Sequence, residues 1–216
     1  MKRFISLILV CSIALVGCSQ QQDLQPISGS FKVVPEESNI NFTSIKNQDI
    51  GVSGFFDSVS GKITVPDNGN ITKANGKISL GLTSLNTGLS VRDKRVLKHF
   101  FETEPDNPDA KNSSAVFSVK SLETEDINKL KELHDSVKVT AVGEMNLHGQ
   151  TVKQAMELTV TRTGKNQVRA TTRKPYVFNV KKFNMVKPLE KLMEVCGHGD
   201  LSMAVPITID LTLREA

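Results

Sequence analysis

The stretch SVKVTAVGEMNLHGQTVKQAMELTV, residues 136–160, decides the fold because apolar and polar residues alternate along most of it. An alternation with a period of two is typical of β-strands that bury one face and expose the other. Gly149 and Gln150 divide the stretch, which predicts a tight turn between two long antiparallel strands. The residues expected to face inward are Val137, Val139, Ala141, Gly143, Met145, Leu147, Val152, Met156, Leu158 and Val160.

The same alternation occurs in other segments of the chain. SNINFTSI at 38–45, NGKISLGL at 75–82 and the segment 201–213 each place apolar residues at alternate positions. Seven or eight long strands joined mainly by hairpins favour an all-β antiparallel barrel over a small sandwich, because closing the sheet removes its edges. Eight antiparallel strands make a barrel with room for one small or slender ligand. Small inward residues such as Ala141 and Gly143 leave space inside, although small residues also occur at strand bends.

One or two short helices are expected at the end of this barrel. EDINKLKELH at 125–134 can form a helix with Ile127, Leu130 and Leu133 inward. SVRDKRVLKHFF at 90–101 predicts a second helix, in which Ser90 and Asp93 have the spacing of a capping box. We therefore assign Asp93 a structural role.

The second helix has two chemically different sides. Its apolar side consists of Val96, Leu97, Phe100 and Phe101. Its basic side consists of Arg92, Lys94, Arg95, Lys98 and His99. The simplest geometry lays this helix across an opening of the barrel, with the two phenylalanines lining the opening. The cations then form either a solvated face or a mouth that receives the polar or anionic head of a ligand.

The N-terminal residues are typical of an export signal. Lys2 and Arg3 precede the apolar run FISLILVCSIALVG, which is too short for a comfortable membrane span. LVGC at 15–18 resembles a bacterial lipoprotein cleavage signal, which implies cleavage before Cys18 and attachment of fatty acyl chains such as palmitate to it. A plain signal peptide with a chance cysteine is the alternative. By resemblance to Gram-negative lipoproteins, Ser19 favours the outer membrane, facing the periplasm.

This interpretation divides the chain into three parts. We expect a signal peptide over residues 1–17, a lipidated Cys18 with a flexible tether through residue 29, and one barrel domain over 30–216. The polar tether segment contains Pro and Gly. Cys196 would then be unpaired in an oxidising compartment, so the core alone must stabilise the fold.

Composition and motifs argue against nucleic-acid binding and against catalysis. The 216 residues include no Trp and one Tyr, with a formal net charge of +4, so stacking platforms and strong phosphate attraction are absent. No G-x-S-x-G nucleophile elbow is present. CGHG at 196–199 is a weak signal for a metal, and His99 is the third ligand to test. We predict no catalytic residue, no metal site and no cofactor.

Four segments, in this order along the chain, resemble the YceI-like family. They are SNINFTSIKNQDIGVSGFFDSVSGKITV at 38–65, SLNTGLSVRDKRVLKHFF at 84–101, AVFSVKSL at 115–122 and VGEMNLHGQTVKQAMELTV at 142–160. The resemblance extends over residues 30–214. It implies an eight-stranded antiparallel, lipocalin-like barrel in the bacterial periplasm or envelope. It also implies binding of a long isoprenoid or other amphiphile, with quinone-like molecules and polyprenyl phosphates in that class, and no catalysis. Phe31 stands where many members have Trp, Lys181 replaces an Arg and Met185 replaces a Gly. A lipid anchor is not general to the family.

The alternation and the resemblance together predict the ligand site. The side chains expected to line the apolar cavity are Phe42, Leu80, Phe100, Phe101, Ala141, Met145, Met156, Phe178, Met203 and Ile207, and those expected at the polar rim are Arg92, Arg95 and Lys98. The predicted partners are a long-chain isoprenoid or related lipid and a membrane reached through Cys18, with a homodimer as a further option. Two other classes stay open: an anchored interaction or stress-protection module with a filled barrel, and a metal- or thiol-dependent enzyme.

Overall fold

The alternating segments of the sequence fold into antiparallel strands. The computed structural model describes residues 24–104, 106–107, 110–126 and 130–216, so the expected signal peptide and Cys18 lie outside the described part. Twelve strand segments form one antiparallel sheet in these residues. They are β1 Gly29–Val33, β2 Asn39–Lys46, β3 Ile50–Phe56, β4 Val59–Val65, β5 Asn75–Gly81, β6 Leu85–Asn86, β7 Ser114–Glu123, β8 Ser136–Leu147, β9 Gln150–Gly164, β10 Gln167–Thr172, β11 Tyr176–Asn179 and β12 Ala204–Glu215.

The twelve segments build eight arms of a closed barrel. Four arms consist of two consecutive segments each, namely β1 with β2, β3 with β4, β5 with β6, and β10 with β11, while β7, β8, β9 and β12 are single arms. β12 pairs with β10 and β11 along one edge and with β1 and β2 along the other, which closes the sheet. The predicted eight-stranded antiparallel barrel is therefore confirmed.

Two short helices lie at one end of the barrel, which we call the helical end. α1 spans Ser90–Arg95 and continues into a π-helical turn over Val96–Phe100, and α2 spans Val186–Cys196 and contacts that turn. The imidazole of His148, in the turn between β8 and β9, lies 2.7 Å from the Glu102 carboxylate just after the π-helical turn. Short 3-10 helices cover Pro35–Glu37, Ile71–Lys73, Leu82–Ser84 and Val180–Phe183.

The turn between β8 and β9 consists of His148 and Gly149, one residue earlier than predicted. Both residues have positive φ angles, 51° and 72°. This conformation is that of the type I′ turn, whose twist matches the twist of the two flanking strands. The long hairpin expected from the sequence is present. The inward residues of β8 are buried except Met145, which is half-buried.

The capping box predicted at the start of α1 is wrong. Leu89 precedes the helix, and no side chain caps the helix amides there. Instead, the Asp93 carboxylate accepts a hydrogen bond from the Thr87 amide at 3.0 Å and another from the Thr87 hydroxyl. Asp93 thus has a structural role, as expected. It holds Thr87, which precedes the helix, instead of bonding to the amide of Ser90.

The helix predicted over residues 125–134 is also wrong. The described residues of this segment form bends and turns, Leu130 is buried and Leu133 is exposed, while Ile127 lies outside the described residues. The Asp135 carboxylate accepts hydrogen bonds from the amides of Lys131 at 2.9 Å and Glu132 at 2.8 Å. These hydrogen bonds stabilise a turn, which competes with the weak helical pattern.

Arg162 seals the end opposite the helices, which we call the closed end. Its side chain is 1% exposed and reaches from β9 into the surrounding connections. Its guanidinium donates to the carbonyl oxygens of Leu130 at 3.0 Å and Lys165 at 2.7 Å. Burial lowers the pKa of Arg162, and the charge of Asp135 opposes this effect. Because all three guanidinium nitrogens donate to backbone carbonyl groups, the side chain joins the β7–β8 connection to the β9–β10 turn.

The N-terminal segment also enters at the closed end. Ile27 is buried in the core, and β1 begins at Gly29. A Cβ added to Gly69, in the β4–β5 connection, would lie 2.9 Å from Cβ of Pro26, so these two segments are in close contact. The chain upstream of Ile27 therefore leaves the barrel at the end opposite α1 and α2.

Gly143 on β8 does not provide interior space, contrary to expectation, because the Phe117 ring on β7 covers it. A Cβ at position 143 would lie 2.2 Å from the carbonyl oxygen of Ser118 and 2.9 Å from the Phe117 ring. The two backbones approach so closely that only glycine fits between them.

We expect Gly143→Ala to lower the free energy of unfolding by about 1–3 kcal/mol, because the added methyl group collides with backbone atoms that pair β7 with β8. Gly199→Ala is the matched control, since a Cβ added at position 199 would have no atom within 4 Å. Urea unfolding of both variants and the parent measures the difference. Equal midpoints for the two variants would contradict the packing described for Gly143.

Candidate ligand-binding cavity

A long apolar cavity of about 340 Å³ runs through the barrel. All eight arms contribute side chains to its wall. Its volume falls in the range of pockets that bind small molecules, roughly 300–1,000 Å³. At the closed end the wall consists of buried apolar residues, among them Ile27, Phe31, Ile71, Ala74 and Leu130. The interior therefore suits a slender apolar chain rather than a polar metabolite.

The structure brings most of the residues predicted for the cavity into one wall. These are Phe42, Leu80, Phe100, Phe101, Ala141, Met145, Met156, Phe178 and Ile207. Met203 is not in the wall, because β12 begins only at Ala204 and the residues before it do not continue the alternation. Ser202 lines the cavity instead, and its hydroxyl donates to the Ala204 carbonyl oxygen at 2.9 Å in a local turn. Whether these side chains contact a ligand remains a prediction.

A cluster of phenylalanines closes part of the helical end. Phe101 lies 6.4 Å from Phe56 and 4.9 Å from Phe100 between ring centroids, both in edge-to-face geometry, and Phe56 lies 5.5 Å from Phe42. The amide of Phe101 donates to the carbonyl of Val96, five residues earlier, in the π-helical turn. Such turns are frequent at functional sites. Here the turn places Phe100 and Phe101 together in the cavity wall, in agreement with the predicted apolar side of this helix.

Polar side chains in the wall gather where the cavity opens at the helical end, and we call this opening the mouth. The polar and charged residues there are Ser44, Lys46, Thr87, Arg92, His198 and Ser202. They come from β2, from α1 with the residues before it, and from the segment after α2. The amide of Ser202 donates to the carbonyl of Ile45 at 2.8 Å, which holds the last of these segments against β2. The cavity thus has one apolar end and one polar end.

Only one of the three residues predicted for the polar rim lines the cavity. Arg92 lies in the wall, whereas Arg95 and Lys98 are exposed and do not line it, because their side of the helix points to solvent. Sequence reasoning missed Lys46, although it continues the inward alternation of Ile40, Phe42 and Ser44 on β2. It treated His198 only as a weak metal ligand, and nothing local in the sequence places that residue at the mouth.

Arg92 is held in place by the residue that also binds Asp93. Its Nε donates to the Thr87 hydroxyl at 2.7 Å and its Nη2 donates to the Thr87 carbonyl oxygen at 2.6 Å. The Thr87 hydroxyl in turn donates to Asp93. These charge-assisted hydrogen bonds fix the guanidinium in one orientation at the mouth, next to an opening that can admit a polar group.

Tyr176 is a polar residue in the apolar part of the wall. It lies on β11 opposite Ile207 and packs with Phe117, Met156 and their neighbours. Burial raises the pKa of Tyr176 to about 12, because the charged phenolate is poorly solvated there. Like any tyrosine hydroxyl, that of Tyr176 is protonated at physiological pH, so it is available as a hydrogen-bond donor in the cavity wall.

Cys196 and His198 both line the mouth, at the end of α2 and just after it. In the described ranges, no group of three or more His, Cys, Asp or Glu side chains is placed to hold a metal ion. His99 therefore does not complete a metal site with these two residues.

The closed barrel, with its apolar interior and its polar opening at the helical end, has a lipocalin-like fold. A model of the YceI-like domain matches residues 31–213. The chain belongs to the YceI-like family, as the resemblance of its motifs predicted.

Three solved structures share this fold. A polyisoprenoid-binding domain from Saccharophagus degradans is 22% identical, with 86% of this chain and 98% of that chain covered and a TM-score of 0.73. BcnA from Burkholderia cenocepacia is 15% identical, with 83% of this chain and 98% of that chain covered and a TM-score of 0.62. The YceI protein of Campylobacter jejuni is 16% identical, with 80% of this chain and 90% of that chain covered and a TM-score of 0.57. At these identities, the comparisons establish a common fold.

A comparison with curated protein sequences gives no match. Within the part of the chain described here, no helix has the length and apolar character needed to cross a membrane.

We expect the one tyrosine of the chain to titrate near pH 12 in the folded protein, rather than near the ordinary value of 10. Because the folded-state pKa is raised, the stabilising contribution of the protonated group is complete below pH 10 and is lost as the pH rises toward 12. The near-ultraviolet absorbance of tyrosinate measures the titration without interference, since the chain has no Trp. The same titration in denaturant is the control. A midpoint near 10 in the native protein would show that the hydroxyl is solvated.

Proposed function

We propose that the protein binds a long isoprenoid-like or other amphipathic lipid inside the barrel and acts as a carrier or sequestering protein for it. The observation that carries this proposal is a continuous apolar cavity that ends in a polar mouth. The apolar chain of the lipid lies in the interior and its polar head lies at the mouth. The description of the Saccharophagus degradans neighbour as polyisoprenoid-binding supports this assignment.

The energetics favour a long apolar tail. Each Å² of apolar surface that leaves water contributes roughly 25 cal/mol, so a tail buried along the barrel supplies most of the binding free energy. Lys46 and Arg92 at the mouth favour a polar or anionic head of the polyprenyl phosphate or quinone type. The proposed role is binding and not catalysis, because the interior side chains are nearly all apolar and offer no acid–base pair.

The decisive experiment extracts the purified protein with organic solvent and identifies the released molecules by mass spectrometry. We expect a lipid with a long isoprenoid or comparable apolar chain in near-stoichiometric amount. A packed, lipid-free barrel would contradict the carrier role and would favour the second candidate, an anchored interaction or stress-protection module with a filled barrel.

Filling the cavity provides a matched test of the binding site. Ala141 lines the cavity on β8, whereas Ala155 on the adjacent strand β9 is exposed on the outer face. We expect Ala141→Phe to reduce the extracted lipid about tenfold or more, because the ring occupies space that the tail requires, while Ala155→Phe leaves it unchanged. A difference of about 1.4 kcal/mol in binding free energy corresponds to a tenfold change in affinity. Thermal unfolding monitors the fold of both variants. Equal lipid content in the two variants would show that Ala141 is not part of the binding site.

We also propose that the protein is a bacterial lipoprotein of the cell envelope. The N-terminal pattern that ends in LVGC supports cleavage before Cys18, acylation of that residue and an outer-membrane location facing the periplasm. Two or more acyl chains would give a stable membrane anchor.

Intact-mass measurement of the protein extracted from membranes tests the anchor. We expect a chain that begins at Cys18 and carries fatty acyl groups, and we expect Cys18→Ala to lose both the acyl mass and membrane retention. An unmodified Cys18, or cleavage at another residue, would overturn the lipoprotein assignment without affecting the proposed barrel ligand.

A further inference from the structure

The large exposed apolar residues of the protein are not distributed evenly over its surface. In the described ranges, six such residues stand out. Four belong to elements at the helical end, namely Ile50 (46% exposed), Leu89 (53%), Val91 (55%) and Val195 (37%). The other two, Leu133 (50%) and Val177 (54%), lie at the closed end and on the outer wall. Single exposed apolar residues are ordinary, but a group around one opening is not.

These four residues, which we call the mouth rim, belong to the elements that border the mouth. Ile50 begins β3, directly after the turn that follows Lys46. Leu89 and Val91 flank the first residue of α1, next to Arg92. Val195 lies in the last turn of α2, next to Cys196. Lys46, Arg92 and Cys196 all line the cavity, and Ile50 pairs with Lys46, so the mouth rim comes from the β2–β3 hairpin, the start of α1 and the end of α2, which also supply residues to the opening.

Basic side chains accompany the mouth rim. The segment of α1 and the π-helical turn carries four cations against the single carboxylate of Asp93, and that carboxylate is engaged by Thr87. Lys94, Arg95 and Lys98 are exposed on this segment and do not line the cavity. On α2, Glu194 is paired with Lys191 at 2.9 Å, while the exposed carboxylates Asp49 and Asp200 flank the other side of the mouth.

We propose that the mouth rim docks on the surface of a membrane that contains anionic lipids, with the opening of the cavity facing the bilayer. Apolar side chains enter the boundary between head groups and acyl chains, and nearby Lys and Arg residues are attracted to anionic head groups. A membrane is the partner that matches this surface, because apolar and basic groups occur together near one opening. Passage of a lipid through the docked mouth rests on the proposed function, whereas docking itself is measured independently of any bound ligand.

The absence of Trp from the chain makes the test direct. Leu89→Trp and Ile50→Trp each place a single reporter on the mouth rim, and Leu133→Trp and Val177→Trp are controls of similar exposure elsewhere. Each variant is prepared as residues 19–216, which contain every residue of the described barrel but neither the export signal nor Cys18, so that no acyl anchor can bind it to a membrane. It is mixed with vesicles of phosphatidylcholine and phosphatidylglycerol that carry brominated acyl chains. We expect a blue shift and quenching of the emission at the two rim positions and neither change at the two control positions.

A separate experiment tests the attraction between the basic residues and anionic lipids. Vesicles of phosphatidylcholine alone, or high salt, should reduce the response of the rim reporters, because the attraction to anionic lipids is screened. In the Leu89→Trp background, Lys94→Gln with Lys98→Gln should weaken vesicle binding about tenfold or more. A rim response that is the same for neutral and anionic vesicles would overturn the assignment of an anionic surface.

Three results would overturn docking through the mouth. The first is no change at the rim positions with either vesicle. The second is a response at Leu133→Trp in place of the rim, which would turn the closed end toward the bilayer. The third is a blue shift at the rim without vesicles that grows with protein concentration, which would assign the surface to a second copy of the chain. Lipid in the solvent extract together with any of these results would retain the proposed function and remove only the docking surface.

Discussion

The pairing of β12 along both of its edges is the constraint on which the rest of the molecule depends. One edge binds β10 and β11 and the other binds β1 and β2, so the last strand of the chain joins the first arm to the seventh. With the sheet closed, the long arms are paired on both sides, and in the described residues only short segments such as β6 and β11 have a partner on one side alone. Closure also turns the apolar rows of all the arms toward one another. The cavity exists because these rows face each other across more space than their side chains fill.

The two ends of the barrel have opposite chemistry, and this difference gives the cavity a direction. At the closed end, Arg162 uses its buried guanidinium to bind loop carbonyl groups, and apolar side chains such as Ile27 fill the space. At the helical end, the network of Thr87, Arg92 and Asp93 holds a charged group beside the opening. A ligand with one apolar end and one polar end matches this gradient in a single orientation. The site therefore distinguishes the two ends of a lipid by where water can reach.

The architecture of the barrel could be predicted from the sequence more completely than the ligand site could. The period of two along β8 and β9 depends only on which face is buried, so it identifies inward residues such as Ala141 and Met156 without knowledge of their neighbours. It fails where the chain leaves the strand, as at Met203. It also fails where a residue outside the pattern decides the outcome. Phe117 on the paired strand β7 covers Gly143, and Asp135 holds the amides of the preceding residues in a turn instead of a helix. His198 joins Lys46 and Arg92 only through the folded path of the chain after α2, which no local pattern encodes.

Because the chain enters the barrel at the closed end, its N-terminal segment lies far from the mouth. β8 has 12 residues, and a strand of that length, tilted as in other small barrels, rises about 30 Å along the barrel axis. Any attachment made upstream of Ile27 therefore starts roughly that far from the mouth. If the N terminus is held on a membrane, as proposed, a connecting segment of about nine fully extended residues is needed for the mouth to reach that same membrane. A shorter or folded segment would leave the mouth facing away from it.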